Sequence, residues 1–426
     1  MRIAILAPGS RGDIQPYLAL GKGLKDAGHT ITLISNQTYA GLVAPYGLDF
    51  HAIPLDMQAM IEESAMRKVL ERGNPVTTMA HFARQFKAAS KIMAEQALEA
   101  SRGSELIIAG FSGIFIAMSI AEKLGIQFLQ AYNVPLTSTG DFSGALLPRL
   151  PAGPLRSLSH FITRQAIWMA YAPADKIVRT ETLGLTTRLG SMPFPAGGPW
   201  KRLRNEPALY GISPSVIPRP KEWSASSVYL TGYWFLDESA EWKAPDDLER
   251  FLASGPAPVY IGFGSMSNES PEETAKLVLK ALELSGHRGI VFSGWGGMAS
   301  KELPASVHMI ESTPHSWLFP RMAAVVHHGG GGTTAAGYRA GLPSLIVPFH
   351  GDQAFWGLLT ARLGVGPRPL PRRRLSAEAL ASSLTTALTD AGIRSRAAAL
   401  GERIRSEDGV ARAVEAIEAI SRARRS

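Results

Sequence analysis

The chain has 426 residues, 44 lysines and arginines against 36 acidic residues for a formal net charge of +8, and a 45% apolar share. That length holds two α/β domains with separate cores, and the composition is that of a globular chain rather than a disordered one. With no cysteine, disulfides, thiolate metal sites and a cysteine nucleophile are excluded. The opening MRIAILAPGS reads as a first strand rather than a signal peptide, and no apolar run approaches the roughly 18 residues of a membrane span, so a cytoplasmic protein is expected. Apart from Arg372-Arg373-Arg374 and the terminal Arg422, Arg424 and Arg425, the basic residues are dispersed. That pattern argues for solvated charge over nucleic-acid binding and leaves weak association with an anionic membrane surface open.

Arg2–Ala7 reads as a buried strand, followed by the loop Pro8-Gly9-Ser10-Arg11-Gly12-Asp13 and a helix to Ala27 with Pro16 near its first turn. Gly28 closes it, and Thr30–Ile34 is the second strand of a right-handed parallel crossover. A dinucleotide-binding start is the rival reading, but Gly9 and Gly12 do not make the three-glycine fingerprint and no acid ends the second strand. Asp13 lies at the carboxyl end of the first strand, where open α/β sheets place ligands. By itself it reads as a helix cap or first-turn acid more readily than as a catalyst. Residues 56–100 are helical and rich in methionine, with Phe82 and Phe86, a pattern of ordinary core that could also wall an adaptable apolar pocket. Leu106–Ala109 and Gln127–Gln130 are strands, and Phe111 and Ser112 follow the first of them at the same edge. From Ala131 to Gly198 the chain is irregular and proline-rich, apart from a helix at about Leu155–Tyr171.

Pro214, Pro218 and Pro220 mark a linker over 213–227. Val259–Gly262 is the first clear strand of the second domain, ending in Phe263-Gly264-Ser265-Met266, where a hydroxyl and free amides could meet a phosphate or Ser265 could cap the next helix. Gly289–Ser293 is another strand, and Trp295, set among three glycines, reads as a ligand-facing ring. Then come Pro314-His315, the apolar run Ala323–Val326, His327-His328, four glycines from Gly329 to Gly332, and Thr333-Thr334 opening a helix through Arg339. A glycine run between strand and helix lets backbone approach a ligand, and the helix start offers unpaired amides, so an anion such as a diphosphate is the expected occupant. The alternative is a glycine turn kept only for tight packing. Ser344–Val347 is the next strand, and its polar loop ends in Asp352-Gln353. Helices run from about Ser376 to the end.

Residues 312–356 together resemble the signature of family 1 glycosyltransferases of GT-B fold, with the greatest likeness to sterol glucosyltransferases and the related antibiotic glycosyltransferases. The likeness extends to GSRGDIQP at the start, GFGSM, GWGG and VYLTGYWF, while AYNVPLT departs from the sterol branch's PMPWTPT-like motif. It implies two Rossmann-like α/β/α domains facing each other across a cleft: an acceptor domain over 1–212, the linker 213–227, a nucleotide-sugar domain over 228–408 and a C-terminal helix, 409–426, crossing back to the first. It implies Asp13 as general base, with Ser10 and Gly12 near the donor. The diphosphate would contact Gly264, Ser265, His328, Gly330, Gly331, Gly332 and Thr333, and the nucleotide would lie near Trp295 and His315. Asp352 and Gln353 would bind sugar hydroxyls.

The expected reaction is inverting transfer of a hexose, glucose from UDP-glucose, to a hydroxyl of a lipophilic acceptor such as a sterol, terpenoid or polyketide. The competing readings are an antibiotic-type enzyme with a dTDP-sugar donor, and an epimerase or binding protein of the same fold. With no DxD or HExxH motif, neither a metal nor a separate cofactor is expected.

Overall fold

The computed structural model describes residues 1–55, 75–148, 150, 153–190, 198–237, 242–263, 271–292, 303–311 and 313–424. The chain divides into two compact units, Met1–Leu236 with Glu407–Ser426, and Asp237–Ser406. Each is built on one parallel sheet.

In the first unit the elements run β1 (Arg2–Leu6), α1 (Arg11–Asp26), β2 (Thr30–Asn36), β3 (Asp49–Ile53), α2 (Pro75–Ala100), β4 (Leu106–Ala109), α3 (Ile114–Leu124), β5 (Gln127–Tyr132), α4 (Pro154–Lys176), β6 (Ala208–Tyr210) and β7 (Val228–Leu230). The strand order is β3-β2-β1-β4-β5-β6-β7, every pairing parallel. Ile3-Ala4-Ile5-Leu6 and Leu106–Ala109 are buried throughout, as strands covered on both faces must be. The order reverses between β1 and β4, and the carboxyl ends of those strands define the ligand edge of such a sheet.

The second unit contains α5 (Asp246–Ala253), β8 (Val259–Gly262), α6 (Pro271–Ser285), β9 (Gly289–Phe292), β10 (Val307–Ile310), β11 (Ala324–His327), α7 (Gly331–Arg339), β12 (Ser344–Ile346), α8 (Gln353–Leu363), α9 (Ala377–Thr389) and α10 (Ala391–Arg405). Its parallel order is β10-β9-β8-β11-β12, so the reversal falls between β8 and β11. Val259, Ile261, Val326, Leu345 and Leu380 meet in its core.

The last helix, α11 (Gly409–Ala423), packs within the first unit, where Ala413, Val414, Ile417 and Ile420 join Ile3, Ile5 and Leu18 in one cluster. That spacing of three and four residues is one apolar helix face. A side chain added at Gly409 would come within 2.3 Å of Tyr233 O, so the helix start rests on backbone.

The boundary expected at residue 228 falls later. Val228–Leu230 pairs with β6 as the edge strand of the first sheet. Trp234 then holds the chain there, donating to Thr231 Oγ1 at 2.9 Å and meeting the Tyr17 ring edge-on at 5.9 Å. The helix expected to open at Thr333 begins at Gly331, and the long helix expected over 56–100 is described from Pro75 onward, residues 56–74 lying outside the described set. The short strands β3, β6 and β10 escape the sequence reading. Gly409→Ala should lower unfolding free energy by about 1–3 kcal/mol through overpacking, read as an earlier midpoint in urea. An unchanged midpoint would mean that α11 has room to shift.

Candidate active site

At the first unit's ligand edge, β1 runs into Pro8-Gly9-Ser10 and α1 starts at once. Gly9 has φ of 136°, a left-handed conformation reserved for glycine, and a Cβ there would lie 2.5 Å from Asp13 Oδ2. The Asp13 carboxylate therefore folds back over the turn, accepting from Ser10 N–H and Ser10 Oγ–H at 2.8 Å each. Burial raises its carboxyl above the ordinary value, and the two bonds from Ser10 pull it back down. Gly12 is exposed in the first turn, near Ser10 Oγ.

Ser35, Asn36 and Tyr17, which sequence reasoning missed, hold this turn together with Ser112, which it placed at the same edge. Asn36, ending β2, donates to Gly9 O at 2.9 Å, and Ser35 to Ala7 O at 2.6 Å. Ser112, after β4, donates to Pro8 O and so ties the two strands of the reversal together. Tyr17, one helical turn beyond Asp13, donates its hydroxyl to Ala131 O at 2.6 Å. Burial, and then the Asp13 charge, raise the Tyr17 phenol far above its ordinary value, so it stays protonated. The spacing of four residues from Asp13 was the available signal for Tyr17.

In the second unit, β11 ends at His327, paired with Gly262 of β8 and Ile346 of β12. His327 is fully buried, and its Nδ1 accepts from Gly329 N–H at 3.0 Å. Gly329 has φ of 95°, which turns the chain into α7, and a Cβ there would strike Ile346 and the Gln353 carbonyl. The first intrahelical bond runs from Thr334 N–H to Gly330 O at 2.9 Å. The amides of Gly331, Gly332 and Thr333 precede it and have no turn of helix to bond to. Gly332 is exposed, with open space where a side chain would stand.

His328 is half-buried with its Nε2 over Gly330, 2.6 Å from where a Cβ would be, and its Nδ1 is buried without a hydrogen-bond partner. Burial, and then His350, hold its imidazole down at about 4, so it is neutral at pH 7. Burial lowers His350 too, and His327 lies well below the ordinary range through burial and its imidazole neighbours His328 and His315. His350 comes from the loop after β12, a participant that the sequence reading passed over.

Asp352 caps α8, and its Oδ2 accepts from Trp356 Nε1 at 2.7 Å, one turn along. Gln353 is buried, its Oε1 accepting from the amides of Phe349 and His350 at 2.7 and 3.1 Å. Gln353 thus braces the loop that carries His350. His315 opens a short turn, His315–Leu318, and stacks on Phe319 at 4.3 Å beside Tyr260. The structure brings His315, His327, His328, Gly330–Thr333 and His350 to the carboxyl edge of one sheet, with Asp352 and Gln353 at the neighbouring strand's end. Gly264, Ser265 and Trp295 lie outside the described residues. Among the described residues, no group of three His, Asp or Glu side chains could hold a metal ion.

Two parallel sheets, each with its glycine-bearing turn at the strand-order reversal, define the GT-B class of glycosyltransferase fold. Solved structures of that class superpose along nearly the whole chain. A calicheamicin glycosyltransferase matches with TM-score 0.67 and 19% identity over 98% of both chains. The spinosyn rhamnosyltransferase complexed with thymidine diphosphate matches with TM-score 0.64 and 18% identity, over 98% of this chain and all of that one. Residues 3–140 match the glycosyltransferase family 28 N-terminal domain, and residues 291–420 the erythromycin biosynthesis protein CIII-like C-terminal domain. A sterol 3-beta-glucosyltransferase of Arabidopsis thaliana is 34% identical over 98% of this chain and 67% of its own length. The O-mycaminosyltylonolide 6-deoxyallosyltransferase of Streptomyces fradiae is also 34% identical, over 98% of this chain and 97% of its own. Against a sterol 3-beta-glucosyltransferase of Cryptococcus neoformans the chain spans only 27% of the relative's length. The chain belongs to this glycosyltransferase family.

The neutral imidazoles give a stability test. A histidine with a lowered native pKa binds its proton more readily in the unfolded chain, so its contribution is complete above pH 6.5 and lost as pH falls toward about 4. Urea midpoints should drop across that window, and His328→Gln should make the drop shallower. An identical pH profile in the variant would contradict the burial of this ring.

Proposed function

We propose that this glycosyltransferase moves glucose from UDP-glucose to a hydroxyl of a lipophilic small molecule (a sterol, terpenoid or polyketide), with inversion at the anomeric carbon. The observation that carries the reading is the start of α7, where amides of Gly331, Gly332 and Thr333 stand ahead of the first helical bond beside a neutral His328. A diphosphate seated there would meet the positive helix end and gain most from it as the sugar bond breaks, when its charge grows. An uncharged imidazole can donate one N–H to that group. Leaving-group charge is thereby assigned to protein donors, with no step that requires a metal.

Asp13 would take the proton of the acceptor hydroxyl. Ser10 donates to one oxygen of its carboxylate, which orients the group. As the hydroxyl oxygen bonds to the anomeric carbon, the proton passes to Asp13 and the electron pair of the broken bond leaves with the diphosphate. Such a base supplies roughly two to four powers of ten in rate. Asp352, at the start of α8, is the candidate for hydroxyls of the sugar, already oriented by Trp356.

Identity to the sterol 3-beta-glucosyltransferases supports glucose and a lipophilic acceptor. A dTDP-linked deoxysugar is the second reading, favoured by the equally high identity to a deoxyallosyltransferase that the chain covers almost completely. An epimerase or a non-catalytic binding protein would give no acceptor-linked product. Product formation from UDP-glucose and dTDP-glucose with a panel of sterols, flavonoids and macrolides separates these readings.

His328→Ala should lower kcat/KM at least about a hundredfold with the far-ultraviolet dichroism unchanged. Asp13→Asn should lower kcat about a hundredfold or more while the donor KM moves little. Wild-type kinetics in either variant would remove that residue from its role.

A further inference from the structure

Asp352 holds the cap position of α8, but its side chain bonds none of that helix's first amides. An aspartate so placed ordinarily accepts from them. Here the carboxylate turns instead to Trp356, whose Nε1 donates to Oδ2 at 2.7 Å. Trp356 lies one helical turn on and is fully buried.

The same indole reaches the glycine turn. A Cβ added at Gly331, the first residue of α7, would stand 3.5 Å from Trp356 Nε1 and 3.6 Å from two of its ring carbons. The ring thus has the start of α7 on one side and the Asp352 carboxylate on the other. Below it, α7 and α8 are tied again. Thr360 gives its one hydroxyl proton to Trp356 O at 2.8 Å, so the Tyr338 hydroxyl of α7 is the donor in its 2.7 Å bond to Thr360 Oγ1. Tyr338 and Thr360 are both buried.

These ties bear on which sugar is read. α7 follows β11 and α8 follows β12, so the diphosphate's donors and the sugar's candidate acid arrive from different strands. A nucleotide sugar joins the two through a fixed set of bonds. The hydroxyl that meets Asp352 therefore depends on the gap between the two helix starts, and a rigid ring fills that gap.

We propose that Trp356 is a positioning residue for sugar specificity: it fixes the distance from the glycine turn to Asp352 and aims the carboxylate at one sugar hydroxyl. The inference rests on the reading of α7 as the diphosphate site and of Asp352 as the sugar's acid, and it assigns Trp356 no contact with substrate. Phenylalanine at this position keeps a ring beside Gly331 and removes the N–H. A residue that only filled the core would, when changed, weaken every donor alike.

Calorimetric titration of the full chain with UDP, UDP-glucose and the monodeoxy analogues of UDP-glucose tests this without an acceptor. Wild type should prefer UDP-glucose over one analogue by about tenfold or more. Trp356→Phe should shrink that preference to about threefold or less, while UDP affinity changes less than about twofold. Asp352→Asn should shrink it as far, and the two together no further, because both act through one contact. A second readout leaves Trp356 in place. Among the indole N–H resonances of the eight tryptophans, one should move in Asp352→Asn, and in wild type it should move further with UDP-glucose than with UDP. Equal loss of affinity for UDP and every donor in Trp356→Phe, additive losses in the double variant, or no indole resonance that answers to Asp352→Asn would overturn the proposal. If wild type bound no UDP, the donor reading would fall and this proposal with it, although the indole shift in Asp352→Asn would remain.

Discussion

A helix that begins within a run of glycines is the constraint on which the second unit's chemistry depends. Its first amides have no earlier turn to bond to, and without side chains the backbone itself is the surface a ligand meets. The core fixes where this happens. β11 lies between β8 and β12, so its end falls at the reversal of strand order, and Gly329 turns the chain under Ile346 and Gln353. Burial keeps the surrounding imidazoles uncharged. In the proposed reaction, attraction for the diphosphate would therefore come from aligned dipoles and N–H donors rather than from net cationic charge.

The first unit solves a different problem with similar means. A carboxylate is held half-buried at a strand end, where desolvation raises its affinity for a proton and two hydrogen bonds from Ser10 restrain that rise. The positive φ of Gly9 leaves the space that the carboxylate fills. Asn36 and Ser112 brace the same turn from the strands on either side. An acid tuned in this way can accept a proton partially without holding it permanently.

Much of this was legible in the chain because strand cores and turn residues are local signals. Ile3–Leu6 and Val325-Val326 are apolar runs of strand length, and glycine after such a run marks a ligand edge in either reading. Other features are relations between distant segments. Val228–Leu230 looks like a beginning because prolines precede it, yet cross-strand pairing with Ala208–Tyr210 makes it an end. The lowered pKa of His328 depends on His350, which arrives through a separate strand and loop. Gln353 was expected to offer itself to a sugar, while its carbonyl oxygen is committed to the backbone amides of Phe349 and His350.

Amide hydrogen exchange with and without UDP addresses the helix start directly. Addition of UDP should slow exchange in peptides containing Gly331, Gly332 and Thr333, and His328→Ala should weaken that protection. Protection confined to other strand ends, with the glycine turn exchanging as fast as in the free protein, would contradict a diphosphate seated there.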